Sequence, residues 1–337
     1  TAIHLACDSI RRDECEVALA GGVNLILHPA QMEVLAKKGM LSATGKCHSF
    51  GQGADGFADG EGVGAVLLKP LQLALRDGDN IYAIIRGSSI NAGGKTSGYT
   101  VPNPLAQASL IRRVLRQAKV DPREISYVEA HGTGTALGDP IEVRGLVKAF
   151  GVDPERQQYC ALGSVKANIG HLEAAAGISG FSKILLQMRH QTLVPTINAA
   201  MPSTYIDFKN SPFYLQQSAA GWRVGQAKLA AISSFGAGGA NAHVILQSFE
   251  APRRDADTAP LCLVLLSAAQ PQQLTQLVQA LADRLGAAEP ALQLSDIAHT
   301  LWEGRQDQAA RLALLVADLA ALQAGLQAYL RGAPDVA

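Results

Sequence analysis

The sequence predicts an α/β protein, and three observations carry the prediction. Apolar runs of strand length alternate with stretches of 3.6-residue periodicity over residues 1–250. Glycine-rich turns separate these runs, which is the punctuation that strand-to-helix connections use. With 337 residues the chain exceeds one ordinary core, so two domains or one large duplicated domain are expected.

Taken in order, "TAIHLACDSIRR" (1–12) reads as a helix with neither cap nor start methionine, so further chain is expected before it. "CEVALAGGVNLIL" (15–27) reads as a buried strand and turn, and "GVGAVLLKPL" (62–71) and "IYAIIRGSSI" (81–90) as further strands. Asn103 and Pro104 open a helix, because proline suits the first helical position, where its missing N–H costs nothing. Leu110, Ile111, Val114, Leu115 and Ala118 then keep helical spacing. "ISYVEA" (125–130) is a strand that delivers His131 to its C-terminal end. Asp139, Pro140 and Glu142 read as N-cap, first position and N3 of the next helix. "GFADGEGVGAVLLK" (56–69) and "SFGAGGANAHVILQ" (234–247) are alike, as are "CEVALAGGVN" and "YCALGSVKAN". Two copies of one α/β unit would give this likeness, and so would any two strands of an α/β protein.

Residues 251–260, "APRRDADTAP", are charged and rich in Pro and Ala, a linker composition. Beyond it the chain turns to Leu, Ala and Gln. A strand at 261–267, a helix from about 271, a helix near 294–302, a strand at 311–316 and a helix from about 318 are expected, forming a small structural α/β domain.

Composition excludes several functions. Lys+Arg and Asp+Glu both number 29, and no block of like charge stands out, which argues against nucleic acid or an anionic membrane as partner. The longest apolar stretch, "LCLVLLSAA" (261–269), falls far short of the roughly 20 residues of a membrane span. Cys7, Cys15, Cys47, Cys160 and Cys262 show no C-x-x-C pairing, which suits a reducing cytoplasm better than disulfides or a zinc site.

Three loops carry candidate chemistry: "AHGTGT" around His131, "GSVKANIGHLEAAAG" with Lys166 and His171, and "SSFGAGGANAH" (233–243). A fourth, "GQGADG" (51–56), fits the dinucleotide pattern G-x-G-x-x-G. It lacks the preceding strand and following helix that would hold a pyrophosphate, so the match is accidental. With Asn168-Ile-Gly read as a loop, His171 is expected at the N-terminus of a long helix through Leu172, Ala175, Ala176, Ser179 and Met188. There the dipole would keep the ring neutral. A neutral imidazole can donate to a carbonyl oxygen and stabilise an enolate, and Lys166 adds positive potential.

"VEAHGTGTALGDPIEV", "GSVKANIGHLEAAAG", "DGFADGEG" and "SSFGAGGANAHVIL" resemble the β-ketoacyl synthase (ketosynthase) domains of modular type I polyketide synthases, in this order and over residues 1–250. Residues 261–337 resemble, more weakly, the linker domain that follows such domains, here incomplete. The resemblance implies a thiolase-like duplicated α/β fold: two halves with five-stranded sheets, layered helix–sheet–helix–sheet–helix, in a homodimer. It implies decarboxylative Claisen condensation, in which an acyl chain on a cysteine is attacked by the enolate of a malonyl-type thioester. Both substrates would ride on the phosphopantetheine arm of acyl carrier protein, with no bound cofactor and no metal.

The resemblance also assigns residues. His131 and His171 would hold the malonyl thioester carbonyl, with Lys166 beside them. Thr133 and Thr135 would contact the pantetheine arm, and the Ala237 N–H would form half of an oxyanion hole. The nucleophilic cysteine is absent from the chain and expected five residues before Thr1, so residues 1–337 alone would be inactive, with Cys7 a core residue that cannot replace it. "NAGGKTSGYTVPNP" (91–104) departs from the commoner Asn-His-Asp-Gly. With "AGGANAH" it leans towards synthases served by a separate acyltransferase. The competing readings are a non-extending ketosynthase that only passes acyl chains, against which His171 argues, and a catalytically silent scaffold segment.

Overall fold

The computed structural model describes residues 1–98, 100–222, 228–250, 261–287 and 292–332. The chain divides into two compact units, Thr1–Ala251 and Pro252–Ala337. The expected linker at 251–260 lies outside the described residues.

The first unit opens with α1 (Ala2–Arg11), β1 (Ala18–Asn24), α2 (Pro29–Lys37), β2 (Gly62–Leu68), α3 (Leu71–Arg76), β3 (Ala83–Ala92) and α4 (Pro104–Ala118). It continues through β4 (Ile125–Glu129), α5 (Gly138–Phe150), β5 (Cys160–Gly163), α6 (Lys166–Ile169) and α7 (Ala176–Arg189). It closes with β6 (Thr192–Leu193), β7 (Phe213–Leu215), β8 (Ala220–Gly221), β9 (Leu229–Phe235) and β10 (Ala240–Ser248). Asn103 caps α4 as its sequence predicts, accepting from the Leu105 and Ala106 N–H groups.

A six-stranded sheet in the order β3-β10-β9-β4-β5-β7 organises this unit. β9, β4, β5 and β7 run parallel, and β10 runs antiparallel to β9 and β3. The C-terminal ends of β3, β4, β5 and β9 and the start of β10 therefore share one sheet edge, the usual place for a ligand in such sheets. One face of the sheet packs on α4 and α5 around Leu110, Val114, Leu146 and Ile245. The other packs on α7 around Phe181, Ile184, Tyr127 and Trp222.

β1 and β2 form a separate two-stranded antiparallel sheet that lies against the α7 segment. Glycines permit the approach: a Cβ at Gly22 would stand 2.6 Å from the Ala174 carbonyl, and one at Gly64 2.8 Å from Ile178. The far face exposes Leu19, Val23, Val63 and Leu67. The expected buried strand at 15–27 is thus exposed on one face. Where the resemblance implies two five-stranded sheets, the described residues of this unit form one sheet of six strands and two of two strands, β1-β2 and β6-β8.

Two further expectations are corrected. α5 begins at Gly138 with Leu137 as its N-cap, so Asp139 sits inside the first turn instead of capping it. Asn168 and Ile169 belong to the short α6, and a three-ten turn (Glu173–Ala175) separates His171 from α7.

The second unit contains β11 (Cys262–Ala268), α8 (Pro271–Gly286), α9 (Leu294–Glu303), β12 (Ala310–Val316) and α10 (Leu319–Leu330). β11 and β12 pair antiparallel, and Val264, Leu266, Leu312 and Leu314 bury against Leu274, Val278, Leu322 and Leu326. Among the described residues no helix is long and apolar enough to cross a membrane.

Candidate active site

The shared sheet edge opens into a cavity of about 930 Å³ lined by His131, His171, Thr133, Thr135 and Ala237, among others. β4 ends at Glu129, and the chain turns into the cavity at His131. β5 ends at Gly163, paired with Glu129, so the 164–171 loop rises beside the first. β9 ends at Phe235, and its turn carries Ala237 to the same place.

The rings of His131 and His171 stand 5.4 Å apart between centroids, at 85° to one another. Phe57 packs 4.9 Å from the His171 ring and Phe235 5.9 Å from the His131 ring. The "DGFADGEG" segment threads between the two loops. Gly56 N–H donates to the Gly134 carbonyl (3.1 Å), His171 N–H to that of Ala58 (2.7 Å), and Gly60 N–H to that of His171 (3.0 Å).

Hydrogen bonding assigns the tautomers. Glu173 N–H donates to His171 Nδ1 at 2.9 Å, and Phe235 N–H points at His131 Nδ1 at 3.5 Å. Both rings therefore carry their proton on Nε2. Burial holds His171 down at about 3, with the Lys166 charge adding to it. Burial also holds His131 well below its ordinary value, with Lys166 and then His171 contributing. The rings are neutral donors because they are desolvated beside a cation. This replaces the expected helix-dipole explanation for His171.

Lys166 is 3% exposed and is not part of the cavity wall. Burial lowers its proton affinity, and the charges of Glu129 and Glu142 oppose that. The hydroxyls of Thr133 and Thr135 are 3.3 Å apart on the wall. Ala237 lines the cavity, and its N–H has no acceptor among the described residues. The five cysteines do not line the cavity. Cys7 is 9% exposed, and burial raises its thiol pKa.

Sequence reasoning missed two carboxylates by assigning them to a helix cap. Glu142 accepts from His131 N–H (2.7 Å) and Gly132 N–H (2.8 Å). Asp139 accepts from Phe50 N–H (2.7 Å) and Gly134 N–H (3.1 Å). Both are almost wholly buried. Burial raises Asp139 to about 6 and Glu142 to about 7, against the pull of those N–H groups. They fold the glycine loop back on itself and fix the His131 backbone. The only sequence signal was a pair of carboxylates directly after a glycine loop.

The family models for the β-ketoacyl synthase N-terminal domain, the β-ketoacyl synthase C-terminal domain and the ketoacyl-synthetase C-terminal extension match residues 1–74, 82–200 and 202–308. The chain is 46% identical to polyketide synthase PksL of Bacillus subtilis (strain 168) over 98% of its length and 8% of the relative's. It is 48% identical to polyketide synthase ThaG of Burkholderia thailandensis over 99% of its length and 6% of the relative's. Among solved structures, the ketosynthase from module 6 of the bacillaene synthase of Bacillus subtilis 168 superposes with a TM-score of 0.86 at 40% identity, covering 99% of this chain and 58% of that one. The oxazolomycin ketosynthase domain OzmH KS7 of Streptomyces albus JA3453 gives 0.88 at 44% identity, covering 98% and 58%. The chain thus spans about three-fifths of the ketosynthases it matches and a small part of the synthases that carry them. Three successive models of one family cover residues 1–74, 82–200 and 202–308, and solved ketosynthases superpose on nearly the whole chain: the chain belongs to the β-ketoacyl synthase family and has its thiolase-like fold.

Proposed function

We propose that this chain forms the malonyl-handling part of a polyketide ketosynthase that performs decarboxylative Claisen condensation. The observation that carries the proposal is the pair of neutral imidazoles, 5.4 Å apart, each with an Nε2–H available in one cavity. Two such donors can hold the oxygen of one malonyl thioester carbonyl. When the bond to the terminal carboxylate breaks, its electron pair enters the enolate and carbon dioxide leaves. The charge that develops on the thioester oxygen meets preorganised donors in a desolvated site. Burial keeps the rings neutral, and the charge of Lys166 adds to that and supplies positive potential.

The enolate carbon then attacks the acyl thioester of a cysteine, and the cysteine thiolate leaves as the new carbon–carbon bond forms. On this reading the Ala237 N–H, which has no acceptor among the described residues, is one donor to that second oxyanion. None of the five cysteines of residues 1–337 lines the cavity, so on this reading the acyl-carrying cysteine is not one of them. Thr133 and Thr135 line the way in and suit a thin pantetheine arm presented by acyl carrier protein. Homodimerisation, a cytoplasmic site and supply of malonyl groups by a separate acyltransferase belong to the same reading. His171, neutral and turned into the cavity, favours an extending enzyme over one that only passes acyl chains.

The test is to give the complete synthase an acyl thioester and malonyl-loaded carrier protein. Carbon dioxide release and a β-ketoacyl product by mass spectrometry support the proposal. Acyl loading without either overturns it.

A further inference from the structure

Glu129 lies two residues before His131 in an otherwise apolar strand and is 1% exposed. A carboxylate there needs partners, because an unpaired buried charge is costly. Its Oε1 accepts from Val165 N–H at 2.6 Å, one residue before Lys166. Its Oε2 accepts from the Tyr127 hydroxyl at 2.6 Å. Lys183 Nζ on α7 stands 3.0 Å from the same oxygen, close enough for an ion pair but not aligned as a hydrogen bond. α7 makes room with Gly180, where a Cβ would stand 3.0 Å from Glu129 Cγ.

We infer that Glu129 is a positioning residue for the proposed condensation, its carboxylate tying together the segments that carry His131, Lys166 and His171. The inference rests on the condensation reading. β4 delivers His131, the 164–166 turn delivers Lys166, and α7 follows His171; one carboxylate contacts all three.

The groups that face Glu129 are Tyr127 from its own strand, Lys183 from α7 and Lys166 from α6, with the Val165 N–H. Glu142 and Asp139 from α5, and Cys47, act on Lys166 from its other sides. After burial itself, the Glu129 charge is the largest influence on Lys166 and raises its proton affinity. Without that charge Lys166 would lose its proton at a lower pH. A purely structural pair makes a different forecast. Buried ion pairs can often be replaced by neutral groups with little loss, provided both partners go.

The experiment compares the complete synthase with its Glu129→Gln and Glu129→Gln/Lys183→Met variants. Acyl loading should persist in both. The kcat for malonyl decarboxylation should fall roughly 10-fold to 100-fold with KM little changed, the scale of a small misplacement at a reacting centre. The alkaline limb of the rate profile should move down by about one pH unit or more, as loss of a nearby opposite charge requires. The double variant removes the unpaired lysine and so keeps the test open if the single variant does not fold. It should remain impaired.

The 13Cε NMR shift of Lys166 in lysine-labelled synthase, assigned with Lys166→Arg and followed across pH, gives an activity-independent reading that needs no access to the buried amine. Its midpoint should move down with Glu129→Gln. Unmoved midpoints, a parent-like rate profile, or a double variant restored to parental rate each overturn the positioning role. A parent enzyme with no decarboxylation would instead overturn the condensation reading, while the Lys166 NMR midpoint still reports on Glu129.

Discussion

Glu142 grips the backbone of His131: its two carboxylate oxygens take the N–H groups of His131 and Gly132 at 2.7 and 2.8 Å. The ring that faces the cavity is therefore aimed by a buried acid on the following helix. Charge-assisted bonds of this kind are the strong ones, and they couple the protonation of α5 to the geometry of the site.

That coupling predicts a pH dependence. Glu142, raised to about 7, and Asp139, raised to about 6, take up protons as pH falls through those values. The fork then weakens, and decarboxylation kcat/KM should rise with pH between about 6 and 7, up to the plateau that precedes the alkaline limb. The imidazoles supply no such limb, because His171 is held down at about 3. Glu142→Gln should lower the rate and erase the part of the limb nearest pH 7. A limb that survives intact in that variant contradicts the assignment.

His171→Ala in the complete synthase should leave acyl loading intact. Decarboxylation should fall by about 10²–10⁴-fold, the usual scale for an acid–base or oxyanion group. Radiolabelled carbon dioxide release against acyl-enzyme formation separates the two steps. Loss of loading with decarboxylation retained would reverse the roles.

Gly134→Ala should break the loop. Its φ is +80°, and an added Cβ would meet the His48 backbone nitrogen at 2.8 Å and the Gly56 carbonyl oxygen at 3.2 Å. Neither neighbour can move without disturbing the segment that also holds His171. Strain of this kind costs about 1–3 kcal/mol. Chemical denaturation should show at least that loss, together with a lower decarboxylation rate.

His243 predicts an effect on stability alone. It lies wholly buried on β10, its Nδ1 3.0 Å from Ser233 Oγ, and burial holds its pKa at about 3. A folded value below the ordinary 6.5 means that the ring contributes stability present above about 6.5 and lost as pH falls towards 3. His243→Gln should flatten the dependence of unfolding free energy on pH across that window, by up to one proton's worth of slope. An unchanged slope would show that the ring is already charged in the native protein.

The small second unit was legible in the sequence almost element by element, because its helices and strands follow local periodicity around a simple apolar core. The placement of His131 at a strand end and the capping of α4 by Asn103 were legible for the same reason: they depend on neighbours a few residues away. The four motifs also carried the family. Long-range packing decided the rest. Asp139 and Glu142 look like a helix start in sequence, yet their partners include Phe50, far up the chain, and the loop behind them. Glu129 looks like a break in an apolar strand until α7 brings Lys183 to it. His131 and His171 meet only because β4 and β5 pair in parallel and send their loops over one sheet edge. Periodicity and capping are short-range and can be read along a chain. A buried charge takes its partners, and a titrating group its pKa, from segments that only folding brings together.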